Sequence, residues 1–128
     1  DKLGMSADEI ATVCSAIGNH DESTAFPVNA VAAALILADK TDVRRTRVRN
    51  RDKATFDIHD RVNYAVEKAS TTLDAAGKAV VLDLQLDTGM SPVIDYFEIF
   101  LERMLLCRKA AEKLGLTFSL VINDQIIL

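Results

Sequence analysis

The sequence is poor in residues that build disulfide scaffolds and flexible linkers, since its 128 residues include two cysteines, two prolines, five glycines and no tryptophan. Cys14 and Cys107 both fall at apolar helical positions, which suits reduced core thiols better than a disulfide. The longest apolar run, residues 30–38, is too short to span a membrane, and no basic-then-apolar signal segment opens the chain. These absences predict a soluble, cytoplasmic protein without a membrane partner.

Sequence motifs of the common cofactor and nucleotide folds are also missing. There is no P-loop, no GxGxxG, no GxSxG and no HExxH. What remains is one stretch, His20 to Arg51, with a histidine and two acidic residues at its start, an apolar helix ending at Asp39, and a run of arginines beyond. These are the parts of a metal-and-phosphate site, but they also suit a capped core helix followed by a solvated basic loop.

Positive charge is concentrated in one segment although the formal net charge is −4. Seven basic residues fall within fourteen positions: Lys40, Arg44, Arg45, Arg47, Arg49, Arg51 and Lys53. Arginine binds phosphate well because its guanidinium offers two parallel donors, but charge runs are more often solvated faces paired with neighbouring acids. A nucleic-acid surface would need stacking aromatics, and only Phe56 and Tyr64 lie near. Nucleic acid is therefore the weakest of these three interpretations.

Two helices are predicted in the first half of the chain. Ser6 and Glu9 have the spacing of a capping box and open a helix over residues 7–17. A second helix over residues 28–38 is apolar nearly all round, so most of its surface should be buried. Asp39 follows directly. A carboxylate there must be capping, paired or metal-bound if it is buried, because an isolated buried charge is very costly.

The second half of the chain predicts a β-β-α-β unit. Its elements are two strands joined by a hairpin turn, a long helix and a third strand, at residues 69–73, 79–87, 91–114 and 116–122. The fold class is therefore α+β, with a helical half over residues 1–55 and the β-β-α-β unit over residues 56–128. The sheet should be three-stranded and mainly antiparallel. Apolar residues on both faces of the long helix, and open sheet edges, predict a homodimer through this unit.

His20 and Asp39 are the candidate metal ligands. Imidazole and carboxylate together suit divalent Mn, Fe, Co, Ni or Zn, and a bound metal can generate hydroxide or polarise a phosphoryl group. Two ligands do not make a site. From the residues alone, a loop histidine and a paired aspartate at a helix end remain the more economical interpretation.

The segments AIGNHDE and AALILADKTD, within residues 7–45, resemble the second half of an HD-superfamily domain, the helical metal-dependent phosphohydrolases. The resemblance implies that Asp39 is the family's last metal-ligating aspartate and that His20 lines the metal or phosphate site. It also implies a divalent metal cofactor (Mn, Fe, Co, Ni, Zn or Mg) and a small phosphorylated substrate. The β-β-α-β unit lies outside the resemblance.

Under the same resemblance the phosphate binders are Lys40, Arg44 and Arg45. The family's first histidine and its His-Asp doublet have no counterpart before His20, and His59 lacks the apolar helix that should precede such a doublet. We therefore expect the C-terminal portion of a metal-dependent phosphohydrolase acting on a phosphate ester or nucleotide, catalytically silent alone and not required to hold a metal as a fragment. The alternative is a non-catalytic dimerisation or ligand-sensing module.

Overall fold

The computed structural model describes residues 2–128, and within them the chain forms four α-helices, two short 3-10 turns and four strands. The elements, in chain order, are α1 (Ala7–Gly18), α2 (Ala30–Lys40), 3-10 turns at Arg45–Arg47 and Lys53–Thr55, α3 (Ile58–Ala65), β1 (Val66–Asp74), β2 (Ala79–Leu86), α4 (Val93–Lys113), β3 (Thr117–Ile122) and β4 (Gln125–Ile126). The α+β class predicted from the sequence is confirmed.

The sheet has the strand order β1-β2-β3-β4. β1 pairs antiparallel with β2 and β3 pairs antiparallel with β4, but β2 and β3 are parallel and are joined by α4 as a crossover. The sheet thus has four strands, one more than the three expected from the sequence. Asn123 and Asp124 adopt positive φ angles of 49° and 65°, and this tight reversal lets Gln125 pair back onto Ile122.

The helix starts follow their capping residues closely. Ser6 and Glu9 form the expected capping box of α1, and the side chain of Asn29 accepts the N–H of Ala32 to open α2. Asp39 lies inside the last turn of α2 and not beyond it. The helix α4 begins at Val93, two residues after the predicted start at residue 91, because Pro92 occupies the N-cap with an extended backbone (φ −59°, ψ 152°).

One hydrophobic core joins the helical half to the sheet. Alternate residues of the two central strands point to the same face, and α4 and α2 cover that face. The main contributors are Ile36 and Leu37 of α2, Val80, Leu82 and Leu84 of β2, Tyr96, Phe100, Met104 and Cys107 of α4, and Phe118, Leu120 and Ile122 of β3. Each such side chain contributes roughly 1.5–3 kcal/mol when fully buried. This core runs without a break across the boundary expected near residue 55.

Packing is uneven along the chain. α1 contributes one buried residue, Ala16, and leaves Ile10, Val13 and Ile17 partly exposed. β1 buries only its first residue, Val66. The periodicity that predicts α1 is therefore real, but its apolar stripe has no partner of comparable size within residues 2–128.

The longest helix, α4, has 21 residues and carries charged side chains along its length. In the part of the chain that the structure describes, no helix combines the length and apolar character needed to cross a bilayer.

Candidate functional site

Four charged side chains meet at the C-terminal end of α2, and we call them the α2-end cluster: Glu22, Asp39, Lys40 and Arg103. Lys40 is only 3% exposed. Its Nζ lies 2.6 Å from Asp39 Oδ2 and 3.4 Å from Glu22 Oε1. Arg103 Nε lies 2.7 Å from the same Glu22 oxygen. Glu22 therefore bridges two cations, and the buried lysine charge is balanced by two carboxylates.

Three segments bring these side chains together. α2 is apolar over most of its surface and packs along α4, which carries Arg103. The last turn of α2 is closed by Thr41, whose backbone N–H and hydroxyl both donate to the carbonyl of Leu37, at 3.1 and 2.7 Å. A lysine in that turn also interacts favourably with the helix carbonyls. The loop between α1 and α2 then folds back and delivers Glu22.

The side chain of Arg103 is largely buried, with 18% of its surface accessible to solvent. Its Nε is buried and makes no aligned hydrogen bond, so the 2.7 Å approach to Glu22 is an ion pair and not a directed N–H bond. Its guanidinium carbon lies 5.2 Å from the centre of the Phe100 ring, at cation–π distance. This leaves a buried donor that can be satisfied by a small reorientation or by a ligand oxygen.

Asp39 is ionised under ordinary conditions. Partial burial alone would raise its pKa, but the hydrogen bond and charge of Lys40, with further contributions from Arg103 and His20, outweigh burial and hold the pKa below its ordinary value. The carboxylate therefore keeps its negative charge well into the acid range. Ionised carboxylate is the form in which aspartate binds a metal.

His20 lies on the loop after α1, on the same side of the molecule as Asp39. Its Nδ1 is 2.6 Å from the carbonyl oxygen of Ile17. Since a carbonyl oxygen can only accept, this contact requires the proton on Nδ1 and leaves the lone pair of the neutral ring on Nε2. Metal-ligating histidines are commonly oriented by such a contact through the other ring nitrogen.

A cleft of about 410 Å³ opens beside the cluster. It is lined by Glu22, His59, Ile99, Phe100, Glu102 and Arg103. His59 therefore lines the same cleft as Glu22 and Arg103, although its sequence context gave no reason to select it. Arg103 had a weak signal: it is a basic residue between Phe100 and Met104, two residues of the apolar stripe of α4.

The arginine run makes contacts of its own, away from His20 and Asp39. Asp42 pairs with Arg44 Nε at 2.8 Å and with Arg47 Nη1 at 2.7 Å. Arg45 donates from Nε to the carbonyl of Tyr64 at 2.7 Å and lies 4.4 Å from the centre of that ring. Of the five residues predicted for the site, Asp39 and Lys40 are in direct contact, and His20 is close enough for its charge to lower the pKa of Asp39. The structure places Arg44 at an exposed contact with Asp42 and Arg45 at a part-buried contact with Tyr64.

Metal binding was tested against the donors present. Within residues 2–128, no group of three or more His, Cys, Asp or Glu side chains is arranged to hold a metal ion. His20 and Asp39 are suitable in kind, but a zinc site in a protein uses three or four protein ligands. Residues 2–128 therefore do not complete a metal site on their own, and we derive no reaction step through one.

Comparison with protein-family models, curated proteins and solved structures finds no match to this chain. The geometry of the α2-end cluster and its cleft is thus the basis for a functional proposal.

Proposed function

We propose that this chain is the C-terminal portion of a metal-dependent phosphohydrolase that acts on a phosphate ester or nucleotide. Asp39 would be a metal ligand and His20 a second ligand or phosphate contact. The observation that supports this most directly is that Asp39 has a lowered pKa, to which His20 contributes, while the Nδ1 of His20 is held by the carbonyl oxygen of Ile17 and its Nε2 is left for another partner. A reducing cytoplasmic location fits the free thiols Cys14 and Cys107.

The basic residues divide into two roles in this proposal. Lys40 is buried and ion-paired, so it would fix the Asp39 carboxylate and not contact substrate. Arg44 and Arg45 would bind phosphate only by leaving Asp42 and Tyr64. Arg44 is better suited to this because 62% of its side chain is exposed and exposed ion pairs are weak.

The remaining ligands would be supplied from outside these 128 residues. This part of the proposal follows from the two-donor set, because two ligands hold a divalent ion poorly in water. We therefore expect the 128-residue chain to show no hydrolysis of a generic phosphodiester. Turnover by this chain alone would contradict that expectation.

The experiment uses the longest gene product that contains this chain, purified as wild type, Asp39→Ala and Asp42→Ala. Metal content by plasma mass spectrometry and hydrolysis of phosphomonoester and phosphodiester probes are measured for each. Asp42 is the matched control, since it is an aspartate three residues away that pairs with Arg44 and Arg47. We expect Asp39→Ala alone to lose metal and activity. Absence of metal from the wild type, or unchanged activity in Asp39→Ala, would refute the proposal.

A non-catalytic dimerisation or ligand-sensing module is the second candidate. It is favoured by the charge balance of the α2-end cluster, in which Glu22 and Asp39 already neutralise Lys40 and Arg103. In that case the cluster holds α2 against α4 and has no reaction to perform. The same experiment separates the two, because a structural cluster predicts no bound metal and loss of stability in Asp39→Ala.

A further inference from the structure

The two edges of the sheet differ in length and in cover. At one edge β4 is only two residues long, and the chain after it folds onto β3: Ile127 N–H donates to Leu120 O at 2.8 Å, and Ser119 Oγ to Leu128 O at 2.9 Å. At the other edge β1 has nine residues, of which the last eight are exposed. No further strand of the described chain lies beyond β1. A long open edge is a template for pairing with another strand.

The two faces of β1 carry different side chains. Ala69, Thr71 and Leu73 pair with buried residues of β2, so they share the face that the helices cover. Leu73 is nevertheless 66% exposed, because the helix layer does not extend over it. The opposite face carries Lys68, Ser70, Thr72 and Asp74. The edge thus offers one apolar and one charged row.

A groove of about 400 Å³ lies on the apolar face next to Ala69 and Thr71. The end of α2 and the residues after it form its other wall: Leu37, Ala38, Thr41, Asp42, Val43 and Arg44. The groove is mostly apolar, and two residues of the edge strand β1 form part of its wall. An apolar side chain placed opposite Ala69 would enter it.

We infer that β1 pairs antiparallel with β1 of a second copy of this chain, with Thr71 facing Thr71 on the two-fold axis. Counting outward from Thr71 in opposite directions, Lys68 faces Asp74 of the other copy and Ala69 faces Leu73 of the other copy. Both relations occur twice in the dimer. The two four-stranded sheets would then form one continuous sheet across the axis.

This register satisfies two unrelated requirements at once. It sets opposite charges across from each other on one face, and directly opposed charge pairs stabilise antiparallel strands. On the other face it carries each exposed Leu73 to the groove beside Ala69. Asp74 is available for this, because only its Oδ1 accepts from Ala76 and Gly77 in the hairpin turn.

Neither of the neighbouring symmetric registers satisfies both requirements. Opposed residues must lie on the same face of the sheet, so the allowed shift moves the axis to Ser70 or to Thr72. An axis at Ser70 would set Leu73 opposite Glu67. An axis at Thr72 would set Lys68 opposite the hairpin turn, beyond Asp74. Lys68 on this edge also disfavours pairing with strands that bring no acid to it.

Cysteine cross-linking tests the register. Opposed residues in an antiparallel pair have Cα atoms about 4.5–5.5 Å apart, within disulfide reach. In a Cys14→Ser background, with Cys107 buried, we expect Thr71→Cys to form a covalent dimer on mild oxidation. Ser70→Cys and Thr72→Cys are matched controls on the same strand and should stay monomeric. Equal or faster cross-linking of either control, or none of Thr71→Cys, would overturn the inference.

Sedimentation equilibrium over a wide concentration range tests the role of Leu73. We expect the wild-type chain to dimerise and Leu73→Glu to weaken dimerisation at least about tenfold, since burial of a leucine contributes more than that. Ile94→Glu on α4 is the matched control, because Ile94 is 70% exposed and lies away from β1. It should dimerise like the wild type. A wild-type chain that stays monomeric throughout, or equal effects of the two variants, would contradict the interface, whatever the metal content.

Discussion

Two charged regions follow each other in the sequence, the α2-end cluster at Asp39 and Lys40 and the arginine run that begins at Arg44. In the first, Lys40 is 3% exposed and touches two carboxylates. In the second, Arg44 keeps 62% of its side chain in solvent and pairs with Asp42 at 2.8 Å. The ion-pair distances are similar, so distance does not distinguish the regions. The two regions differ in how much of the charged side chain is accessible to solvent.

This difference matters because water sets the strength of an ion pair. An exposed pair contributes about 0–1 kcal/mol, since the solvent screens it and long side chains lose entropy. Removing one partner of a buried pair leaves an uncompensated charge and is much more costly. The denser run of charge in the sequence is therefore expected to matter less for stability than a single lysine at the end of an apolar helix.

The largest expected effect comes from Lys40→Ala. The variant removes the nearest cation of Asp39 and the packed hydrocarbon stem of the buried Lys40. Because the two carboxylates left behind are 35% and 39% exposed and keep part of their hydration, we expect a loss of about 1–2 kcal/mol in the free energy of unfolding. Arg44→Ala, the matched control in the arginine run, should lose less than about 0.5 kcal/mol. Urea denaturation followed by circular dichroism measures both. Equal losses would erase the contrast between the two regions.

A second effect concerns pH and Asp39. Folding lowers the pKa of this carboxyl, chiefly through Lys40 acting against the opposing effect of burial. The charged carboxylate therefore stabilises the folded chain above its ordinary pKa of roughly 3.9, and this contribution is lost as the pH falls through the lower folded pKa. The difference in unfolding free energy between wild type and Asp39→Asn should shrink on acidification from neutrality toward pH values below about 4.

Urea titrations of both proteins at several pH values test this expectation. Asp42→Asn supplies the comparison from the exposed region. If the difference in unfolding free energy between wild type and Asp39→Asn increases in acid, Asp39 is not held in its charged form by the cluster.

The smallest effect is expected for Arg47→Ala. Its Nη1 lies 2.7 Å from Asp42 Oδ2, but 47% of the arginine side chain is exposed. We expect a loss below about 0.5 kcal/mol that disappears near 1 M salt, where screening acts over about 3 Å. The loss caused by Lys40→Ala should persist in the same salt. If both losses vanish with salt, the α2-end cluster is more hydrated than its burial indicates.

Much of the local structure followed from short patterns. The capping box at Ser6, the alternation in β2 and the apolar stripe of α4 each depend on residues a few positions apart, and each predicted its element to within one or two residues. The strand β1 was underestimated, since its polar residues between Val66 and Ala69 are held in the sheet by pairing with β2 and not by their own preference. The strand β4 was missed for a similar reason, because it forms only where the turn at Asn123 and Asp124 places Gln125 beside Ile122 of β3.

The candidate site was harder to anticipate. Asp39 could be selected because a carboxylate at the end of an apolar helix needs a partner on physical grounds. The nature of that partner was not readable: Lys40 is its immediate neighbour, and Arg103 comes from a helix sixty-odd positions away. The interpretation of the arginine run as a solvated face paired with neighbouring acids anticipated the contact of Arg44 with Asp42. Nothing in the pattern indicated that Tyr64 would contact Arg45.

The sequence by itself determined the α+β class, the positions of the helices and central strands, and the need of Asp39 for a counter-charge, because these depend on periodicity, capping and the cost of burying a lone carboxylate. Only the tertiary structure decided which cation meets Asp39, that Lys40 is buried while Arg44 is not, and that β1 is an open edge beside an apolar groove. Those outcomes depend on contacts between segments that are distant in the sequence. Such contacts are determined by the packing of the whole chain and not by a local pattern.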